Sequence, residues 1–141
     1  MIVERGPTAI LRYDAAENIL YYAFPNVTLE TPEQIVTHFD WCMSFWRRHC
    51  GGRKVYCVVD LDGVHVNARH TNLYAAQLRR TLDFAITIVR HGGSSLQRTA
   101  VRIAHMKLHT PSRIYGSQEE ALMVVKALKS GEIMLEPAGT R

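Results

Sequence analysis

The chain has 141 residues, of which 47% are hydrophobic and 21% charged, and its formal net charge is +4 at pH 7. This length predicts one domain with its own core, and no apolar run approaches the roughly 20 residues that cross a bilayer. The three cysteines include no Cys-x-x-Cys pair, and the first residues lack the layout of a signal peptide. We therefore expect reduced thiols and a cytoplasmic location.

Positive charge is concentrated in the second half of the chain. Between Val64 and Ser117 the only acidic residue is Asp83. The basic residues of that stretch are Arg69, Arg79, Arg80, Arg90, Arg98, Arg102, Lys107 and Arg113. They are typical of a solvated helix face, and they also suit an acidic protein partner or a small anionic ligand. Aromatic residues do not alternate with the arginines, which disfavours single-stranded nucleic acid as the partner.

The first elements along the chain are predicted to be two strands of a hairpin. Residues 9–13 and 19–24 are rich in strand formers, and residues 14–18 between them supply turn chemistry.

A long helix is predicted to begin at Pro32. Thr31 suits the N-cap, proline suits the first helical position, and Gln34 completes a capping box. Gly51-Gly52 end the helix. Its apolar side has helical spacing and consists of Ile35, Phe39, Cys42, Met43 and Trp46.

The middle of the chain predicts a buried strand over residues 55–60. Its apolar run ends in an Asp62-Gly63 turn. Asp60 and Asp62 therefore lie where a central strand leads into a loop, which is the edge at which open α/β sheets meet ligands and partners.

Three elements are predicted after the polar connection that starts at His65. The first is a helix reaching about His91, because Leu78, Leu82, Ala85, Ile86 and Val89 have helical spacing and Gly92-Gly93 follow. The second is a strand at residues 99–105, which alternate in polarity. The third is a helix opened by a capping box from Ser117 to Glu120. Its apolar residues are Ala121, Leu122, Val125 and Leu128, and residues 131–141 are expected to form a loose tail.

This order of elements predicts an α/β fold. A hairpin followed by alternating helices and strands indicates a mixed sheet of four or five strands, with helices mainly on one face. We expect a single domain over residues 1–141, with an ordered core at about 8–129.

The segment from Val58 to Val64, Val-Val-Asp-Leu-Asp-Gly-Val, resembles a motif of the STAS domain family. That family is shared by sulfate transporter tails and anti-sigma-factor antagonists. Its motif is an apolar strand, then Asp-Leu-Ser-Gly-Val, then a loop whose serine is phosphorylated at a helix start. The element order and the last helix, from Ser117 to Leu122, are also similar to the family, so the resemblance covers residues 8–129.

The resemblance implies a regulatory module that binds a protein or a small ligand through the strand-to-helix loop. Asp62 replaces the usual Ser or Thr, and residues 65–72 contain no serine, so serine-phosphorylation switching is not expected. Thr71, the nearest hydroxyl, is expected to cap the next helix. The predicted contact residues are Asp60, Asp62, Gly63, His65, Asn67, Arg69, His70 and Thr71, with Arg69 and His70 meeting an acidic group.

The alternative is a haloacid-dehalogenase-like phosphohydrolase. In such enzymes, which the Asp60-x-Asp62-Gly63-Val64 pattern also resembles, the first aspartate is the nucleophile, the second handles protons, and magnesium bridges them to a phosphate. That chemistry also needs a lysine and a later acidic pair, which the sequence does not offer at recognisable positions. The simpler interpretation is that Asp60 and Asp62 shape the turn and accept backbone hydrogen bonds.

Other candidate sites are weaker. His38 and Cys42 are four residues apart on a helix, a spacing that suits two metal ligands, but Cys42 belongs to the buried stripe. We predict no metal, no cofactor and no catalytic residue. Trp41 and Phe45 lie partly off that stripe, where they would form an apolar patch for a homodimer or a partner.

Overall fold

The structure, a computed structural model, describes residues 1–135 and is built around a mixed β-sheet. The strands are β1 (Ile2–Arg5), β2 (Ile10–Asp14), β3 (Ile19–Ala23), β4 (Val27–Leu29), β5 (Val55–Asp60), β6 (Val64–Val66), β7 (Ala85–His91) and β8 (Arg113–Tyr115). The helices are α1 (Pro32–His49), α2 (Thr71–Leu82), α3 (Ser95–Lys107) and α4 (Gln118–Ser130). A 3-10 turn at Ala68–His70 precedes α2.

Within residues 1–135 the main sheet has six strands in the order β1-β2-β3-β5-β7-β8. Its first three strands are antiparallel, and β3, β5, β7 and β8 run parallel to one another. β4 and β6 form a separate two-stranded parallel sheet. The predicted α/β fold with a mixed sheet is confirmed, although the sheet has six strands and not four or five, because β1 and β8 extend its edges.

The predicted hairpin and the predicted central strand are confirmed. β2 and β3 pair antiparallel, and Asn18 adopts a positive φ of 57° in the turn between them. β5 is buried on both faces, which explains its nearly continuous apolar sequence.

Helix α1 begins as predicted. The Thr31 side chain accepts a hydrogen bond from the Gln34 amide, and the Gln34 side chain accepts one from the Thr31 amide. The predicted aromatic patch on α1 is wrong, because Phe45 is fully buried and the Trp41 ring packs over Gly6. The sequence pattern missed this because the buried face of α1 is wider than one stripe of apolar residues.

The prediction that the second helix reaches about His91 is wrong. α2 ends at Leu82, and residues 85–91 form strand β7. The run from Ile86 to Val89 consists of β-branched residues, which favour strands because their side chains lose freedom in a helix. β7 also pairs with β5 along its length and is largely buried, so tertiary pairing decides its conformation.

The predicted strand at residues 99–105 is also wrong, because this segment lies within α3. Ser94 and Gln97 form a reciprocal capping box that opens the helix. Val101, Ala104 and His105 then face the core at helical spacing.

The helices are divided unequally between the two faces of the main sheet. α1, α2 and α3 contribute to the larger core cluster on one face, whereas α4 packs on the other against β5, β7 and β8. Ser117 caps α4 as predicted, and Gly131 follows its last residue with a φ of +80°. The Glu120 carboxylate, however, accepts from the Gly116 amide, so the predicted capping box is not completed.

Residues 136–141 of the predicted tail lie outside the described residues, whereas β1 lies before residue 8, where the sequence predicts no element. Among residues 1–135, no helix combines the length and the apolar character needed to cross a membrane.

We expect Phe45→Ala to lower the free energy of unfolding by about 3–5 kcal/mol, because a fully buried ring leaves a cavity when it is removed. The matched control is Met123→Ala on α4, whose side chain is exposed and should change stability by no more than about 0.5 kcal/mol. Urea denaturation followed by circular dichroism measures both. Equal effects of the two substitutions would show that Phe45 does not lie in the core.

Candidate functional site

The candidate site lies at the carboxyl ends of β5 and β7. The two strands are parallel, and Asp60 is the register partner of His91. The Leu61 amide donates to the His91 carbonyl at 2.9 Å, so the chains stay paired where they leave the sheet. Two loops therefore start side by side at this edge.

Asp60 and Asp62 shape the loop that follows β5. Asp60 Oδ1 accepts a hydrogen bond from the Asp62 amide at 2.9 Å. Asp62 Oδ1 accepts one from the Gly93 amide at 2.9 Å, which joins the β5 loop to the β7 loop. The simpler interpretation of both carboxylates, as acceptors of backbone hydrogen bonds, is confirmed.

Glycines are required where these loops approach other parts of the chain. Gly63 has a φ of +83°, and a Cβ there would lie 2.5 Å from the Phe24 carbonyl oxygen. Gly93 has a φ of +80°, and its Cβ would lie 2.8 Å from the Leu61 Cβ. Only glycine fits both the left-handed conformation and the space at these positions.

The loop between β6 and α2 is fixed by short-range hydrogen bonds. Asn67 Oδ1 accepts from the Arg69 amide at 3.0 Å, and Asn67 Nδ2 donates to Glu30 at 3.1 Å. The predicted capping role of Thr71 is wrong. Thr71 is already the first residue of α2, and its hydroxyl donates to the Ala68 carbonyl at 2.7 Å. The N-cap is His70, whose side chain makes no capping hydrogen bond.

The predicted contact residues lie on one continuous segment, which we call the loop from Asp60 to Thr71 and which includes the last residue of β5, strand β6, the 3-10 turn and the first residue of α2. Asp62, His65 and Arg69 have exposed side chains. The other predicted contact residues are half-buried and consist of Asp60, Gly63, Asn67, His70 and Thr71. The side chains most available to a partner are thus one carboxylate, one imidazole and one guanidinium.

Helix α3 contributes a part of this region that the sequence analysis missed. The Gln97 amide group donates to the carbonyls of Leu61 and Val64, and its oxygen accepts from the Ser94 amide. Gln97 therefore holds the β5 loop against the start of α3. The Ser94-x-x-Gln97 spacing after two glycines is a helix-start signal that could have located α3 in the sequence.

A cavity of about 300 Å³ opens between this loop and α3. Its deep wall is formed by buried residues, among them Leu29, Val59, Leu61 and Val101. Its rim is formed by exposed residues, namely Leu96, Ile103, His65, Ala68 and Thr99. The cavity therefore shares His65 and Thr71 with the predicted contact residues.

His38 also lines the deep part of this cavity. Its Nδ1 lies 2.6 Å from the Thr8 hydroxyl, and its Nε2 lies 3.7 Å from Cys42 Sγ. Burial lowers the pKa of His38 from 6.5 to about 4, so its imidazole is neutral at pH 7. Burial likewise raises the pKa of the Cys42 thiol well above its usual range, so that Cys42 is protonated there.

One residue of the predicted basic half lies in the core. Arg90 on β7 is buried, and its guanidinium donates to His105 Nε2 at 2.6 Å. Because arginine only donates, Nε2 is the accepting nitrogen of His105, and Nδ1 faces the Thr110 hydroxyl at 2.8 Å. Arg90 therefore takes no part in a basic outer surface.

The acidic side chains do not assemble into a metal site in the part of the chain that the structure describes. No three His, Cys, Asp or Glu side chains within residues 1–135 come together in a way that could hold a metal ion. The later acidic pair that phosphohydrolase chemistry requires is therefore not beside Asp60 and Asp62 in that range.

A comparison with solved structures finds an anti-sigma-factor antagonist (STAS) domain protein from Planctomyces limnophilus. The match covers 82% of this chain and 96% of that chain, with a TM-score of 0.53 and 18% sequence identity. The chain has a STAS-like fold. The resemblance first found at Val58–Val64 is thus confirmed for the fold. No family model matches the sequence, and no curated protein matches it.

We expect the free energy of unfolding to decrease between pH 6.5 and 4 because of His38. In this range the unfolded chain binds a proton on His38 that the folded chain does not, since the folded pKa is about 4 and the ordinary value is 6.5. Stability is therefore lost as the pH falls, and the full loss is about 3 kcal/mol at roughly 1.4 kcal/mol per pKa unit.

The measurement is urea denaturation at several pH values for the wild type and for His38→Gln, which has no titrating group. Between pH 6.5 and 4.5, the free energy of unfolding should change less with pH in His38→Gln than in the wild type. Glu4 affects stability only at lower pH. Its hydrogen bond with Arg48 holds its pKa at about 2, so its contribution to stability is lost as the pH falls below 4.5. Identical slopes in the two proteins would contradict the burial of a neutral His38.

Proposed function

We propose that this chain is a regulatory binding module that recognises a protein partner through the loop from Asp60 to Thr71. The observation that carries the proposal is the similarity of the fold to an anti-sigma-factor antagonist domain, together with the exposure of Asp62, His65 and Arg69 on one fixed loop. We place the module in the cytoplasm, consistent with its three unpaired cysteines.

The rigidity of the loop supports a role in recognition. Bonds from Asp62 to Gly93, from Asn67 to Glu30 and from Thr71 to Ala68 hold the loop in one conformation. A surface that is ordered before binding loses less conformational entropy when a partner docks. None of these bonds involves the side chain of His65 or Arg69, both of which are exposed.

The charge of the loop supports an acidic counterpart. Arg69 is exposed, and His70 lies next to it in the 3-10 turn. An acidic side chain of a partner, or a small anionic ligand, would pair with these two residues. Arg98, the basic residue at the start of α3, is half-buried, and its Nε donates to the Gly92 carbonyl at 2.8 Å.

We further propose that binding is not switched by phosphorylation of a loop serine. Residues 65–72 contain no serine. The Thr71 hydroxyl is half-buried and donates to the Ala68 carbonyl, so a phosphate on it would require that bond to break. These features favour partner binding that is not regulated by phosphorylation of this loop.

We expect Arg69→Ala combined with His70→Ala to weaken binding of the cognate partner by about tenfold or more, through loss of the charged contacts. Partners captured from native cell extract by the wild type are identified, purified and titrated against each variant by calorimetry. Binding should also weaken as salt rises, because the contacts are exposed.

The matched control is Arg47→Ala combined with Lys126→Ala, which removes two exposed cations from α1 and α4. It should change the dissociation constant by less than about twofold, as expected for charges outside the interface. The proposal fails if the loop variant and the control bind the partner equally well.

The phosphohydrolase alternative is tested with magnesium and p-nitrophenyl phosphate. We expect the wild type to show no turnover above that of Asp60→Asn. Asparagine keeps an oxygen that can accept the Asp62 amide, so this variant removes a nucleophile while retaining the turn. Magnesium-dependent turnover that disappears in Asp60→Asn would establish the enzyme and overturn the binding module.

A further inference from the structure

The cavity between the loop and α3 has the properties of a site for a small apolar molecule. We propose that it binds a compound with an apolar chain and one polar end, with the chain inside the cavity and the polar end at the rim. This inference depends only on the cavity and is independent of the protein partner proposed above.

The size of the cavity sets the size of the ligand. An apolar cavity of roughly 150 Å³ holds benzene, which has six carbon atoms. The present cavity is about 300 Å³, so it accommodates a chain of about ten to twelve non-hydrogen atoms by the same measure. Its volume also lies at the lower end of ordinary small-molecule sites, about 300–1,000 Å³.

The inner wall selects for apolar groups because its polar atoms are already used. The Gln97 side-chain amide forms hydrogen bonds with three backbone groups. The Thr71 hydroxyl donates to the Ala68 carbonyl, and His38 Nδ1 lies next to the Thr8 hydroxyl. Tyr74 also lines the cavity and is hydrogen-bonded to Arg90, and the other residues of the deep wall, including Leu29, are apolar. Water gains few hydrogen bonds in such a space, whereas an alkyl chain gains burial.

The rim identifies where the chain enters. Leu96, Ala100 and Ile103 are spaced along one face of α3, and the side chains of Leu96 and Ile103 are 78% and 41% exposed. Exposed large apolar residues beside a cavity mark a surface that is covered when a ligand is bound. His65 and Thr99 are exposed on the same rim and place polar groups where the ligand's polar end meets water.

The absence of charge on His38, at the deep end of the cavity, determines the orientation of the ligand. His38 at the deep end carries no charge at pH 7, because burial lowers its pKa to about 4. A carboxylate pushed to that end would lose its hydration without gaining an opposite charge. The polar end therefore stays at the rim, whether it is a hydroxyl or a carboxylate.

The test titrates hexanol, octanol, decanol and decanoate, each below its solubility or micelle limit, into the ¹⁵N-labelled full chain. Shift changes in the amide spectrum are expected around the cavity, at residues such as Ala68, Thr71 and Ala100, and not on α4. Affinity should rise by about fourfold for each added methylene, because each one is buried. Decanoate should bind within about tenfold of decanol, because its head remains in water.

Two variants and a control assign the binding to the cavity. Ala100→Phe fills the space from α3, and Thr99→Phe covers the mouth from an exposed position that is not part of the core. Each should weaken decanol binding by about tenfold or more, as expected when the chain can no longer be buried. The control Ala76→Phe places the same ring on the exposed side of α2 and should leave affinity unchanged. Circular dichroism verifies that each variant is folded.

Three results overturn the proposal. The first is the absence of shift changes up to the solubility limit of every probe. The second is binding that does not depend on chain length, which would show that the chain remains outside the cavity. The third is binding that survives both Ala100→Phe and Thr99→Phe in folded protein.

Discussion

The pairing of β5 with β7 determines where the candidate site begins. β5 is buried on both faces, and its parallel register with β7 continues to Asp60 opposite His91. The bond from Asp62 to the Gly93 amide then ties the two loops together beyond the sheet. Gln97 adds the start of α3 to the same arrangement. A shift of this register would move the loop, the rim of the cavity and α3 together.

Local signals in the sequence were sufficient for the elements whose ends are chemically marked. Thr31 with Gln34, and Ser117 before α4, mark helix starts, and β5 is recognisable from its apolar run ended by Asp62-Gly63. The prediction failed at residues 85–91, where helical spacing and β-branched composition disagree. The sequence alone does not show that β5 lies beside this segment, and that neighbour makes it a strand.

Only the part of the candidate site that is continuous in sequence could be predicted. The loop from Asp60 to Thr71 is one continuous segment, so its position after β5 follows from the chain order. The hydrogen bonds within the loop could not be predicted from the sequence. Thr71 has the chemistry of a cap, but the 3-10 turn Ala68–His70 leads directly into α2, and its hydroxyl bonds back to Ala68. The cavity was not predictable, because its wall combines residues of β4, β5, β6, α1, α2 and α3, which are spread over most of the chain.

The loop and the cavity meet at His65 and Thr71, and this shared boundary determines how two binding events would influence each other. Coupling through a conformational change needs two arrangements of the loop that the ligands bind differently. The bonds of Asp62, Asn67 and Thr71 hold one arrangement, which leaves little room for a second. A partner that covers His65 and a small molecule whose polar end lies there would instead compete for the same surface. By linkage, each would then reduce the affinity of the other by the same factor. Direct competition at the rim is therefore the form of regulation that this architecture favours.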